Sequence, residues 1–403
     1  MDEVTDFGAI VLVVAGTVSV ALLFNKVSER LRIPAAAFFL LAAAVASDLW
    51  PRLGDALSIR DVERIAVVAL IIILFDGGMR VGWSRFRESA APIVSLGLVG
   101  TFLTAGLMML AARYLLDFSW QTSALLGAAL APTDPAVMFS VFGRKEIEGR
   151  TGTILEAESG TNDPVGIALM LAAVSLAETD SSSVAHAVGD FFLQLGVGLA
   201  LGIVGAYTLL FAFRRVALPD PALDPLRTLA FAGVIYGVTT VAHGSGFLAV
   251  YIAGILVGDA DIPGKQRIER FNTSLASLAE IVVFVALGLT IDLTALGENH
   301  RWLDGLVLAV VLAVVARPLA TGPLLLPARL TNGERLFVMW SGLKGAVPIL
   351  LASFAVLAKV DDADRIYGIV FVVVAFSVAL QGATIPSAAD RLGVPMRTAS
   401  AED

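Results

Sequence analysis

Residues 154–174 read ILEAESGTNDPVGIALMLAAV, and the fold of the whole chain turns on how these positions are solvated. Glu156, Glu158, Ser159, Thr161, Asn162 and Asp163 lead directly into Pro164 and the apolar run Val165 to Val174. Such a junction is either a helix end in water or a membrane helix that keeps its acids away from lipid. Composition decides between them. Of 403 residues, 57% are hydrophobic and 16% charged, and mean hydropathy is +0.83. Apolar runs of about twenty residues recur between short polar breaks, the pattern of repeated bilayer crossings. A charged side chain facing lipid at the helix centre costs roughly 2.5–3.5 kcal/mol, so the 156–163 cluster is expected to face a protein interior. At helical spacing Ser159 and Asp163 share a face at i, i+4, and Asn162 follows Ser159 at i+3. Several hard oxygens thus converge on one point, a ligand type suited to unpolarisable cations.

The preceding run carries Ala131-Pro132-Thr133-Asp134-Pro135, two prolines around a polar pair in an apolar stretch. Proline lacks a backbone donor and crowds the carbonyl one turn back, so the helix should open there and leave half-helix ends able to coordinate a cation. A second interruption stands at Gly342, Lys344, Gly345 and Pro348. Helices are expected near 7–25, 33–50, 62–79, 90–115, 120–142, 151–177, 186–213, 226–243, 246–259, 269–291, 302–326, 333–358 and 364–388. This gives thirteen spans, and the broken fifth and twelfth occupy matching places if spans one to six and eight to thirteen are structural repeats. Paired Gly/Pro interruptions in two halves point to a transport site at the bilayer midplane.

An odd count puts the termini on opposite sides, and charge sets the direction. Loops on the side reached after the first span hold nineteen of the 28 basic residues, among them Lys26, Arg80, Arg85, Arg87, Arg150, Arg214 and Arg391. The other side holds seven, including Arg52, Arg113 and Arg365. By the positive-inside rule the richer side is cytoplasmic, with the N-terminus outside and the C-terminus cytoplasmic. The acidic stretch Met1 to Asp6 lacks the basic region of a cleavable signal, so the first run should be retained. Arg391 to Asp403 is too short to form a domain, and residues 1–403 are expected to be one membrane domain without a soluble regulatory module.

Arg317 and Lys344 remain, both inside apolar runs. Arg317 best serves as the neutralising partner of Glu158 or Glu156. Lys344 has three readings: it stands in for a cation, tethers a broken helix through its carbonyls, or snorkels to the cytoplasmic surface. Asp76, before Gly77-Gly78, is either interfacial or an acid at the inner mouth. Gly254 and Gly258 suggest close helix packing. The sequence has no cysteine and three scattered histidines, which argues against disulfides, zinc and metal-dependent hydrolysis. No Ser/His pair or pair of catalytic aspartates on neighbouring spans suggests an enzyme, and no cofactor is expected. Net charge is −8 and the basic residues form no stripe, so no nucleic-acid partner is expected.

Taken together, Glu158-Ser159-Gly160-Thr161-Asn162-Asp163-Pro164, Thr133-Asp134-Pro135 and Gly342-Leu343-Lys344-Gly345-Ala346-Val347-Pro348 resemble the monovalent cation/proton antiporters, specifically the NhaP-type exchangers and their potassium-exporting, cell-volume-regulation relatives. The resemblance runs through essentially the whole chain. It implies an all-α membrane protein with inverted repeats and crossed unwound helices. The core bundle would comprise about 90–177 and 302–388, and a homodimer would form through about 7–79 and 226–291. Transport would be an elevator-like, electroneutral exchange of Na⁺ or K⁺ for H⁺ across the cell membrane. By resemblance, Asp163 carries the proton or the cation, Asn162 is its neutral neighbour, and Ser159, Thr133 and Asp134 complete the site. Glu158 and Arg317 form a buried pair, while Lys344, Asp76 and Glu156 are candidates for gating or for the helix crossing. Lysine at 344 stands where many sodium exchangers carry arginine. A passive cation channel is the rival reading, but it would favour a continuous pore with selectivity rings over one titratable site.

Overall fold

The computed structural model describes residues 34–54, 57–140, 145–178 and 184–398, with the isolated positions 16, 19 and 142. The span expected near 7–25 lies outside the described residues, as do the acidic stretch 1–6 and Lys26, Arg30, Arg32 and Arg144.

Each of the other expected spans is helical. In chain order the helices are α1 (Ala35–Leu49), α2 (Ile59–Val81), the short α3 (Trp83–Glu88), α4 (Ala90–Leu115), α5 (Trp120–Leu130), α6 (Pro135–Ser140), α7 (Gly149–Glu178) and α8 (Val184–Arg215). There follow α9 (Asp224–Val241), α10 (Gly246–Gly258), α11 (Lys265–Leu289), α12 (Arg301–Leu325), α13 (Asn332–Trp340), α14 (Ala346–Leu357) and α15 (Ala363–Leu392). Among the described residues, six of these are long and apolar enough to cross a bilayer: α4, α7, α8, α11, α12 and α15.

Local sequence sets the ends. Ser58 and Asp61 form a capping box at the start of α2, the serine hydroxyl accepting from Asp61 N–H and the carboxylate from Ser58 N–H. Gly82, at φ 65°, stops the helix in a conformation that favours glycine. Thr331 and Glu334 cap α13 in the same way. Packing between α2 and α10 is backbone to backbone: a Cβ on Gly78 would strike Tyr251 O, and one on Gly254 would strike Phe75 O. In lipid, where apolar side chains gain little by leaving the solvent, such close approach is what holds helices together.

The expected fifth and twelfth spans are each two helices rather than one. Residues 131–134 separate α5 from α6, and residues 341–345 separate α13 from α14. Their neighbours also correspond. The fourth and eleventh spans, α4 and α12, each widen into a π-helical stretch, Ser95–Gly100 and Leu312–Ala316. In α12 the cause is legible, since Pro318 removes the donor owed to a carbonyl in that turn. A third π stretch, Ser377–Gln381, lies in α15.

One element departs from an all-helical chain. Strand β1 (Lys145–Ile147) pairs antiparallel with β2 (Met396–Thr398), Ile147 opposite Met396 and Lys145 opposite Thr398. Glu148 N–H also donates to Pro395 O at 2.9 Å. This two-stranded ribbon joins the α6–α7 connection to the segment after α15, on the basic side of the molecule.

Candidate functional site

The two broken spans cross, and each repairs the other. Lys344 Nζ donates to Ala131 O at 2.9 Å and to Pro132 O at 2.7 Å, so the ammonium meets carbonyls that the break in α5 leaves without helical partners. Asp134 N–H donates to Leu343 O at 2.8 Å. A Cβ on Gly345 would collide with the Asp134 carboxylate, so that acid sits against the backbone at the start of α14. A cation therefore lies at the negative C-terminal end of α5 and an anion at the positive N-terminal end of α14. Lys344 is 1% exposed. Of its three sequence readings, the geometry is that of the carbonyl tether, and the side chain does not snorkel.

The span that follows each broken one supplies a side chain to the break. From α7, Asn162 Oδ1 accepts from Thr133 N–H at 3.2 Å. From α15, Ser377 Oγ accepts from Lys344 N–H at 2.9 Å. Gln381 Nε2 then donates to Trp340 O at 2.7 Å, at the end of α13. The two halves thus satisfy their breaks by the same device.

Asn162 also fixes a direction of hydrogen bonding. Because its oxygen must face a backbone N–H, its amide nitrogen faces Thr133 Oγ1, to which it donates at 2.8 Å. Thr133 Oγ1 lies 2.9 Å from Ser159 Oγ, and Ser159 Oγ donates to Leu155 O at 3.2 Å. The hydroxyl hydrogen of Thr133 therefore goes to Ser159, and that of Ser159 to the helix. Each oxygen keeps a lone pair with no hydrogen in front of it. All three residues are at least 97% buried.

One turn along α7, Asp163 is 6% exposed, and its Oδ1 makes no hydrogen bond among the described residues. It lines a cavity of about 280 Å³ together with Asp134, Glu156, Asp76 and Arg80. The cavity runs between α2 and α11 on one wall and α6, α7 and α14 on the other, toward the basic side of the molecule. Asp76 is engaged on that route: Arg80 Nε and Nη2 each reach its Oδ2 at 2.7 Å, and the Thr273 hydroxyl donates to Oδ1 at 3.0 Å.

Glu158 lies away from the cavity. Arg317 grips it with two parallel bonds, Nη1 to Oε1 at 2.6 Å and Nη2 to Oε2 at 2.9 Å, with Glu158 1% and Arg317 4% exposed. This pair locks α7 to α12, and Gly342 leaves room for the guanidinium.

The structure thus joins Thr133, Ser159 and Asn162 in one hydrogen-bonded group, and places Asp134, Glu156, Asp163 and Asp76 on one cavity. Thr133, Ser159 and Asn162 are not on the cavity wall. Two lining residues escape sequence analysis. Tyr251 of α10 presses its ring against Gly160 and donates from its hydroxyl to Ala157 O at 3.2 Å. Glu280 of α11 is a lone acid in the run Leu278-Ala279-Glu280-Ile281-Val282-Val283, and that isolation is the signal by which it can be found. No group of three or more His, Cys, Asp or Glu able to hold a metal ion occurs among the described residues.

Comparison with known proteins accords with this architecture. The family described as "Sodium/hydrogen exchanger, transmembrane" matches residues 15–390. The chain is 38% identical over 341 residues to the K(+)/H(+) antiporter NhaP of Alkalimonas amylolytica, covering 84% of this chain and 59% of that one. It is 34% identical over 378 residues to the K(+)/H(+) antiporter NhaP2 of Shewanella sp. (strain ANA-3), covering 92% and 65%. The chain thus spans less than two thirds of the length of these relatives. Among solved structures, the sodium proton antiporter MjNhaP1 of Methanocaldococcus jannaschii superimposes with a TM-score of 0.79 at 24% identity, covering 97% of this chain and 98% of that one, and so shares its fold.

Proposed function

Because the chain belongs to the transmembrane sodium/hydrogen exchanger family, whose members are transporters rather than enzymes, we propose that it exchanges Na⁺ or K⁺ for H⁺ across the cell membrane. One observation carries the proposal: a buried aspartate, Asp163, lines a cavity with a carboxylate oxygen that makes no hydrogen bond among the described residues. A carboxylate so placed binds a proton or a cation but not both, because protonation removes the charge that holds the metal. Either loaded form is neutral at Asp163, whereas the empty ionised form is held back by the cost of carrying a charge past the apolar barrier. Competition for one site then enforces exchange.

In this reading Ser159 and Thr133, which stand behind the cavity wall, offer the free lone pairs that would complete the cation's shell once it passes beyond the cavity, and Asn162 positions Thr133. Electroneutral exchange is supported by the neutrality of Asn162 and by the engagement of Lys344 with backbone carbonyls, which leaves Asp163 to carry the exchanged charge alone. Asp134 balances the start of α14, while Asp76 and Glu156 line the entry. The core, about 90–177 and 302–388, holds both crossed breaks and moves as an elevator against the bundle of about 7–79 and 226–291, through which two copies form a homodimer. Loop charge sets the N-terminus outside and the cavity mouth in the cytoplasm.

The test is the internal pH of liposomes holding the purified protein, challenged separately with Na⁺, K⁺ and Li⁺ under clamped membrane potential. A cation gradient is expected to move protons for the native protein and not for Asp163→Asn, and the responding cation names the substrate. Cation flux without proton movement would replace exchange by a passive channel.

A further inference from the structure

The exchange reading uses the carboxylates on the core wall of the cavity, but the facing wall carries one more. Glu280 projects from α11 into the space that Asp163 and Asp134 line from the other side. Its neighbours are all accounted for. Asp76, on the same wall, is bound by Arg80 and by Thr273, which lies two helical turns before Glu280 on the same face of α11. Glu156 and Asp134 each make further interactions, and Asp134 lies close enough to Glu280 to act on it electrostatically across the cavity. The Glu280 carboxylate makes no hydrogen bond or close ion pair among the described residues; Arg80, the cation lining the cavity with it among those residues, is bonded to Asp76 and acts on Glu280 only at longer range.

Two carboxylates thus face one cavity of about 280 Å³ with no hydrogen-bond donor on them among the described residues: Asp163 Oδ1, on a residue more than nine-tenths buried, and Glu280. A bilayer protein keeps an acid inside an apolar span only where it faces a cavity or a partner. Among the described residues no group pairs with Glu280 at contact distance, which leaves the cavity and whatever cation enters it. Low-dielectric walls focus the field of such a charge and raise the local concentration of a counter-ion.

We propose that Glu280 is a second cation-holding carboxylate, set on the wall opposite Asp163, which captures the incoming monovalent cation and thereby sets the affinity for it. The inference rests on the exchange reading for its transport consequence, but not for its binding consequence. Because Glu280 belongs to α11 and Asp163 to α7, the cation is shared between the two walls only while the cavity is open on this side. Glu280 therefore governs capture, and Asp163 governs coupling to the proton.

Two measurements test it, one of them independent of transport. Equilibrium binding of ²²Na⁺ and ⁸⁶Rb⁺ to the purified full chain in detergent is compared for the native protein, Glu280→Gln, Glu280→Asp and Asp163→Asn. Liposome exchange is then followed for the same set. Glu280→Gln is expected to weaken binding and to raise the apparent KM for the cation about tenfold, with the maximal rate changed less than about twofold. The difference should narrow when ionic strength is raised with N-methyl-D-glucamine chloride, and Glu280→Asp should recover most of the affinity. Native affinity and native KM in Glu280→Gln would overturn the proposal. So would Glu280→Asp and Glu280→Gln being equally weak, since side-chain shape rather than charge would then be at issue. If Glu280→Gln weakens binding while the native protein moves no protons, the exchange reading falls and the Glu280 assignment stands.

Discussion

At the scale of single residues, the most consequential contact is the pair that holds the site helix in place. Arg317 and Glu158 are both almost wholly buried and joined by two short bonds. Removing one partner strands the other charge in the apolar interior, which costs about 3–5 kcal/mol. Arg317→Ala is therefore expected to lower the thermal unfolding midpoint sharply in detergent. Arg317→Lys should recover only part of the loss, because one ammonium cannot reproduce the two parallel bonds. The residues alone leave Arg317 a choice between Glu156 and Glu158; the family resemblance points to Glu158, and the fold supplies the reason: Glu156 lies on the cavity and Glu158 on the face toward α12. Asn162 shows the same limit. Its side-chain type marks it as a neutral neighbour of Asp163, yet its engagement with both the backbone and the hydroxyl of Thr133 depends on contacts 29 positions away in the chain.

At the scale of elements, the broken helices were legible because proline, glycine and charge inside an apolar run leave few alternatives to an opened helix. Which atoms meet at the crossing was not legible. The partners of Lys344 are carbonyls more than 200 positions earlier, and a carbonyl has no sequence signature. Lys344→Met keeps length and packing but leaves those two carbonyls without a donor. It is expected to lower stability by about 1–3 kcal/mol, seen as a lower unfolding midpoint. The π stretch in α4 was equally hidden, since Ser-Leu-Gly-Leu-Val-Gly carries no proline; it is tied to its surroundings through Gly97, which sits against Thr161 of α7. Connections outside the membrane obey simpler rules. Asp292, between α11 and α12, accepts from the Thr294 hydroxyl at 2.5 Å and from Ala295 N–H at 3.0 Å, and these bonds hold its carboxyl below the usual range. A lowered folded value stabilises the protein above the unfolded value of about 3.9, and the benefit disappears as pH falls through the folded value. The midpoint gap between the native protein and Asp292→Ala is thus expected to be present at about pH 6 and to close toward about pH 3.

At the scale of the whole molecule, two internal halves satisfy their interruptions alike, one through Asn162 of α7 and the other through Ser377 and Gln381 of α15. Pattern alone suggested this correspondence without any residue-level identity between the halves, because it is hydrogen-bonding roles that match and not side-chain types. If one carboxylate serves both ions, the proton is a competitive inhibitor of the cation. Lowering pH on the side where the cation enters should then raise its apparent KM while leaving the maximal rate unchanged, as measured by initial rates in liposomes at fixed membrane potential. A fall in maximal rate at constant KM would indicate a separate proton site.

The small ribbon of β1 and β2 has a mechanical meaning. It pins the segment after the last helix to the connection between α6 and α7, the two elements that bring Asp134 and Asp163 to the cavity. Its backbone bonds are loaded along the strands, where they resist shear together rather than opening one at a time. Tension applied at residues 396–398 is therefore passed to the connection beside the cavity, and segments about 250 positions apart in the chain answer to a single handle.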